Sequence, residues 1–415
     1  MIAAPEHHAE LQRETVRLLS FGAAAVQPGV SGAAYLDENG QPDPSKGTQT
    51  WITSRMVHSF ALGSLMGLPG CAALGEAAMA GLTGPLFDQC NGGWFHAISA
   101  DGTPDLTSGK WAYDHAFVMF AAASASIAGF RGATTLFEQA TATFLEHFWD
   151  ADFGRPVDTW NVDFTELDPY RGLNATMHTL EALLNVAAAL PLDQGASWLR
   201  RADQIGEFVV KLAREHASRL PEHFDSNWVP NLQLNVDRPG DRFKPFGATP
   251  GHGFEWSRLL LNLEAALDAA GEESNPAYLP TAIDLFDRAV ADGWAADGAD
   301  GFVYTTDWQG EPVVRERMHW VLCEALGAAA SLHQRTGDAR YPDLYASWWQ
   351  YAQTYLIDEV HGSWHHELDP QNRPSAKVWS GKPDIYHALQ AVLIPRLPLA
   401  PAMAGAIRDG ALRNL

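Results

Sequence analysis

The feature that most restricts this fold is a rhythm of long helical stretches broken by one recurring kind of loop. Apolar residues return at helical spacing through most of the chain, and alternating Val/Ile/Thr runs of strand type are scarce. Twelve helices are predicted, over 8–22, 50–66, 71–86, 110–129, 133–149, 172–190, 194–217, 252–270, 275–293, 314–335, 340–357 and 382–395. The loops after alternate helices place a glycine beside an aromatic and then a polar turn: GGWFHAISADGTP (92–104), FGRPVDTWNVDF (153–164), DGFVYTTDWQGEP (300–312) and GSWHHELDPQNRP (362–374). Gly93 to Gly154 and Gly301 to Gly362 are each steps of 61 residues. The 147 residues from Gly154 to Gly301 leave room for two more steps, with an unmatched loop at 225–237.

A repeat of helix, short hairpin, helix in about six units follows. Six helical pairs whose alternate members form an inner ring bury every apolar face, so the expected fold is all-α, an (α/α)6 barrel of twelve helices with short β-hairpins in the loops at one mouth. Residues 1–415 are expected to form one catalytic domain. An open solenoid is the competing architecture.

Composition narrows the function. With 28 Lys+Arg against 50 Asp+Glu the net charge is −22, which repels nucleic acid and anionic membranes. Cys71, Cys90 and Cys323 are odd in number and far apart, which suits a reducing compartment. The first residues lack the basic and apolar blocks of a secretion signal, and no apolar run approaches a membrane span, so a cytoplasmic protein is expected. His7 and His8 are expected at the surface.

Polar and titratable groups collect near the starts of the even-numbered helices, on one face of each. They are Trp51, Arg55 and His58; Asn174, His178 and Glu181; His252 and Glu255; Arg317, Trp320 and Glu324; and Asp384, His387 and Gln390. One histidine on an apolar helix is more often a satisfied core residue than a catalyst. Recurrence at the same end of five helices favours a polar pocket, because burying such groups costs several kcal/mol unless they serve a ligand or one another. Histidines and carboxylates without a phosphate loop, Rossmann glycines or a nucleophile elbow suit proton transfer on an uncharged polar ligand. Trp51, Tyr113, Trp320 and Trp379 offer flat faces for a sugar ring. His252 with Glu255, and the run His365-His366-Glu367, lack the spaced partners of a metal site, so neither metal nor cofactor is expected; His365 and His366 read as solvated or structural.

RGLNATMHTLEALL (171–184), GATPGHGFEWSRLLL (247–261) and VWSGKPDIYHALQA (378–391) resemble the N-acylglucosamine 2-epimerase superfamily, and within it the aldose–ketose isomerase branch. WITSRMVHSFALG (51–63), KWAYDHAFVMFAAA (110–123) and ERMHWVLCEALGAA (316–329) support the match, which runs from about residue 50 to 395. The resemblance implies an (α/α)6 barrel and metal-free isomerisation of an unphosphorylated monosaccharide. D-mannose and D-fructose are the expected pair, with D-lyxose and D-xylulose as a second. It places the catalytic histidines on His252 and His387 and a helper carboxylate on Glu255. It places sugar contacts on Arg55, Tyr113, Asn174 and His178, with Arg242, Trp320 and Trp379 as further contacts; Trp51, for its flat face, and Asp384, for its place in a polar stripe, are expected to join them. Sulfoquinovose isomerisation, 2-epimerisation, glycoside hydrolysis by paired carboxylates and sugar binding without catalysis are the competing functions. The sequence does not separate monomer from homo-oligomer.

Overall fold

The computed structural model describes residues 1–412. It contains thirteen α-helices among them: α1 (Pro5–Gly22), α2 (Thr50–Leu65), α3 (Cys71–Leu82), α4 (Ala112–Ile127), α5 (Ala133–Thr143), α6 (Leu173–Ala189), α7 (Leu192–Glu215), α8 (Pro250–Ala270), α9 (Tyr278–Gly293), α10 (His319–Thr336), α11 (Arg340–Tyr351), α12 (Tyr386–Leu393) and α13 (Met403–Arg408). The first twelve are the helices expected from hydrophobic period; α13 has too few residues to show one. The even-numbered helices are buried on every side. All residues from Thr50 to Gly63 of α2 are buried, and α8 is buried from Pro250 to Leu261. Such helices need a shell of others around them. The odd-numbered α7 and α9 instead keep charged residues, such as Arg200, Glu207 and Lys211, on one side.

The contacts divide the chain into two compact units. One comprises Met1–Leu18, Gly206–Lys382 and His387–Leu399; the other comprises Leu19–Ile205, Pro383–Tyr386 and Ala400–Leu415. Each contains three hairpins built alike. In the second unit they close at Leu36 with Pro42, Ile98 with Pro104 and Trp160 with Leu167. In the first they close at Phe224 with Pro230, Thr306 with Pro312 and Leu368 with Pro374. The loop at 225–237, unmatched in sequence, is therefore a repeat hairpin whose glycine signature is missing.

The hairpins have a structural task at the inner helices. Gln49, Trp111 and Met318 precede α2, α4 and α10, and none supplies a side-chain cap. Instead a carbonyl from the following hairpin segment accepts the first helical N–H: His96 for Thr50, Asp158 for Ala112 and His366 for His319. The approach is close. At Gly47 and Gly109, both at positive φ, a Cβ would lie 2.2 Å from the Ile98 and Trp160 carbonyl oxygens, so only glycine fits.

A buried cation completes three repeats. Lys110 donates to Asp88 Oδ2 (2.8 Å) and the Gly92 carbonyl (2.5 Å), and Lys382 to Asp358 Oδ2 (2.5 Å) and the Gly362 carbonyl (2.8 Å). Arg317 grips both oxygens of Asp297 at 2.7 and 2.9 Å. Arg317, grouped from its spacing with the polar stripe of α10, is thus a structural cation. His7 is a second correction: it is 4 % exposed, its Nε2 bonds the Tyr345 hydroxyl at 2.9 Å and its ring meets the edge of Trp349. The helix begins at Pro5, earlier than the apolar period shows, and that start buries the histidine.

Candidate active site

In the unit containing α8 and α10, two histidines are held by carboxylates around one indole. Proline at the first position of α8 sets the helix start, and His252 follows two residues later. His252 Nδ1 lies 2.8 Å from Glu222 Oε1. His387, the second residue of α12, places Nδ1 2.9 Å from Glu324 Oε1. The other oxygen of Glu324 accepts from Arg258 Nε at 3.0 Å, and Arg258 Nη2 lies 3.6 Å from Glu255 Oε1. The Trp320 ring, partly exposed, has its centroid 5.2 Å from that of His252 and 5.9 Å from that of His387.

A carboxylate on Nδ1 fixes that nitrogen as N–H by the hydrogen-bond pattern, so Nε2 is the nitrogen that gains and loses a proton. Both histidines therefore have the setting of an acid–base group. The carboxylate bonded to His252 is Glu222, whereas Glu255, expected to steady that histidine, sits beside Arg258 in the network ending on Glu324. The reason is geometric: the Nδ1 edge of His252 meets the segment before His223–Phe224, and Glu255, one helical turn on, meets Arg258. Trp379 and Arg242 lie in the same unit. The Arg242 guanidinium is 4.7 Å from the Trp379 ring centroid, its Nε donates to the Val378 carbonyl at 3.2 Å, and Phe243 meets the ring edge-on. His366, expected to be solvated or structural, is 9 % exposed and stacks on His319 at 3.7 Å.

The other unit assembles polar contacts around an arginine. Arg55 on α2 is buried, and the rings of Phe117, Trp51 and Tyr386 lie 4.5, 4.8 and 4.8 Å from its Cζ. Its Nη1 reaches Asp384 Oδ2 at 3.2 Å and its Nη2 donates to the Tyr113 hydroxyl at 2.9 Å. Burial opposes its charge, but the field of Tyr113, Asp384 and Tyr386 outweighs that and raises its pKa. On α6, His178 Nδ1 lies 3.3 Å from Glu181 Oε2, which also accepts the Tyr386 hydroxyl in a short bond. Asn174, one turn before His178, has a buried Oδ1 with no protein partner, an acceptor open to a ligand hydroxyl. His58 is different: Nδ1 is bonded to Ser124, and burial holds the ring neutral, pushing its pKa down to about 3.

Thus Arg55, Trp51, Tyr113, Asn174, His178 and Asp384 belong to one unit, and His252, His387, Glu255, Trp320, Trp379 and Arg242 to the other. Sequence reasoning missed Glu222, which lies in an irregular segment without periodicity, and Tyr386, which stands in KPDIYHALQ beside the histidine that drew notice.

The chain belongs to the N-acylglucosamine 2-epimerase (GlcNAc 2-epimerase) family, whose model matches residues 31–391. Among curated relatives, D-mannose isomerase of Thermobifida fusca is 47 % identical over 408 residues, 98 % of each chain. D-mannose isomerase of Pseudomonas cannabina pv. alisalensis is 45 % identical over 412 residues, 98 % of this chain and 96 % of the relative. A crystal structure of D-mannose isomerase superposes with a TM-score of 0.83 at 26 % identity, covering 93 % of this chain and 97 % of that one. The chain is therefore an isomerase, and the likeness assigns it to the α/α-barrel class expected from its paired helices. No helix among the described residues is long and apolar enough to cross a membrane.

Proposed function

We propose that the chain interconverts D-mannose and D-fructose by histidine acid–base catalysis through a cis-enediol, without metal or cofactor. The observation carrying this reading is the pair His252 and His387, each with Nδ1 on a carboxylate and both beside Trp320. An aldose becomes a ketose when C2 loses a proton, O1 gains one, O2 loses one and C1 receives a proton. That sequence needs a base near neutral pKa and a donor at the carbonyl oxygen. His387 takes the proton from C2 and, after exchange with solvent, delivers one to C1. His252 opens the ring at O5 and serves O1, with Glu222 orienting it. Glu255 acts through Arg258 and Glu324. Arg55 and His178 stabilise the enediolate oxygen, and Asn174, Tyr113, Asp384, Trp51, Trp379 and Arg242 bind the sugar.

The relatives' names support mannose as the substrate, and the uncharged ligand suits a chain of net charge −22, for which nucleic acid is a poor partner. The three free thiols suit the cytoplasm. Incubation with mannose, lyxose, glucose, cellobiose and sulfoquinovose, with products read by NMR, tests the reading. Fructose from mannose is expected, before and after dialysis against EDTA. Glucose from mannose would make the enzyme a 2-epimerase, and activity on sulfoquinovose alone would move the substrate.

A further inference from the structure

Glu367, set aside above as part of an unspaced His-His-Glu run, accepts four hydrogen bonds. It is 1 % exposed. Its Oε1 accepts from Ser375 Oγ and Lys377 N, each at 2.7 Å. Its Oε2 accepts from Val378 N at 2.8 Å and Trp379 N at 2.7 Å. Three consecutive backbone N–H groups thus converge on one carboxylate, a concave arrangement that binds anions in other proteins and here holds the protein's own side chain. Charge-assisted bonds of this kind are stronger than neutral ones, and four of them fix the loop backbone up to Trp379.

The same residue ties down a second aromatic. Glu367 pairs with Met318 in the two-strand ladder that leads into α10, two residues before Trp320. Its backbone thereby holds the entry to the helix bearing Trp320, and its side chain holds the loop bearing Trp379. The loop carries a further contact, because the Val378 carbonyl accepts from Arg242.

The corresponding block of the other unit shows that this is an added device. Asp88, Gly92, Trp94, His96 and Pro104 match Asp358, Gly362, Trp364, His366 and Pro374 at a constant offset, which sets Ala97 opposite Glu367. From Pro104 to Lys110 is 6 residues and from Pro374 to Lys382 is 8. The shorter loop is held from within, by Asp105 accepting from the backbone and side chains of Thr107 and Ser108. The longer loop has Ser375 at the place of Asp105 and draws its anchor from the neighbouring strand.

We propose that Glu367 is a positioning residue for sugar binding: its carboxylate holds the 375–379 backbone so that Trp379 presents its ring to the monosaccharide. The assignment rests on the reading of Trp379 as a sugar contact. Glu367→Gln keeps the size but turns an NH2 toward N–H donors, so at least one backbone bond is lost, that of Lys377 N if the NH2 takes the Oε1 side, where the Ser375 hydroxyl can turn to accept.

The test compares kcat and KM for mannose in wild type, Glu367→Gln, Trp379→Ala and the double variant. Glu367→Gln is expected to raise KM about tenfold with kcat within about threefold, since displacement of a binding face by about 1 Å has effects of this order. Trypsin should also cut faster after Lys377. In the double variant the KM should match that of Trp379→Ala alone, because both changes remove the same contact. Wild-type KM in Glu367→Gln while Trp379→Ala raises it would overturn the proposal alone, as would multiplying effects in the double variant. Wild-type KM in Trp379→Ala would overturn the sugar contact and the proposal with it. Should Glu367→Gln not fold, Ser375→Ala removes one bond and spares the carboxylate. It is expected to raise KM about two- to threefold, and an unchanged KM overturns the proposal.

Discussion

His115 and His387 stand at the same place in two copies of one repeat, each five residues after a buried lysine held by an aspartate and a glycine carbonyl. Their fates differ. His115 gives both nitrogens to backbone: Nδ1 to the Trp111 carbonyl at 2.7 Å, Nε2 as acceptor for Trp94 N at 3.0 Å. Burial pushes its pKa down to about 3, so it stays neutral and acts as a bolt. His387 has Glu324 on Nδ1. The repeat explains why. Glu324 stands one turn after Trp320, the second residue of α10, and the matching position after Trp51, the second residue of α2, is Arg55. An arginine cannot polarise an imidazole as a carboxylate does, so one copy sets a carboxylate on its histidine and the other cages a cation. The two copies thus differ in what Nδ1 of the histidine meets, a backbone carbonyl in one and a carboxylate in the other.

Substitution of the two histidines should break this pairing most sharply. His387→Gln is expected to lower kcat by about 10²–10⁴, the worth of a positioned acid–base group, with an unchanged unfolding midpoint. His115→Gln should lose about 1–3 kcal/mol of stability by orphaning Trp94 N, yet keep kcat within about threefold of wild type. Urea unfolding together with steady-state kinetics reads both; matching kinetic losses would erase the contrast.

The lysine cradles are the part the two copies share, and they should respond alike. Lys110→Met and Lys382→Met each leave a buried aspartate unpaired, expected to cost about 3–5 kcal/mol in denaturant unfolding. A loss below about 1 kcal/mol in either would show that cradle to be solvated.

A smaller effect belongs to the carboxylate that distinguishes the copies. Glu324→Gln leaves His387 with a weaker partner, expected to lower kcat about 10- to 100-fold, as other changes behind a histidine do. Unchanged kcat would detach Glu324 from the chemistry.

The smallest expected effect is on acid stability. Burial would raise the carboxyl pKa of Asp358, but the Lys382 ammonium and the N–H groups of His361 and Val360 outweigh it and bring the value to about 2; Asp88 is likewise lowered to about 2. A depressed carboxylate contributes stability that is complete above its unfolded pKa of about 3.9 and is lost as pH falls through the folded value. Wild type should therefore lose this stability between about pH 4 and 2. Lys382→Met removes a main cause of the depression, so it should lose less stability over that range in thermal melts. Identical acid profiles would contradict the assignment.

Much of this was readable in the chain. The helical period located α1 to α12, and Trp51 with Arg55 and Asn174 with His178 could be paired because helices repeat every 3.6 residues. What escaped depends on contacts remote in sequence or on irregular backbone. Glu222 bonds a histidine 30 residues away from a segment without period. Arg317 has the spacing of a site residue, yet its partner Asp297 lies in the preceding loop. The Phe224–Pro230 hairpin lacks the glycine that marked the others. Glu367 escaped because three of its four partners are backbone amides, which no side-chain motif reports.

The central claim, that His387 takes the proton from C2 and delivers one to C1, is tested by wild type and His387→Gln with D-mannose in D2O, followed by NMR and by equilibrium mannose binding. Wild type should give fructose labelled with deuterium at C1. His387→Gln should bind mannose within about threefold of wild type while forming fructose at least about 10²-fold more slowly. Fructose formation by His387→Gln within about tenfold of the wild-type rate would contradict the account.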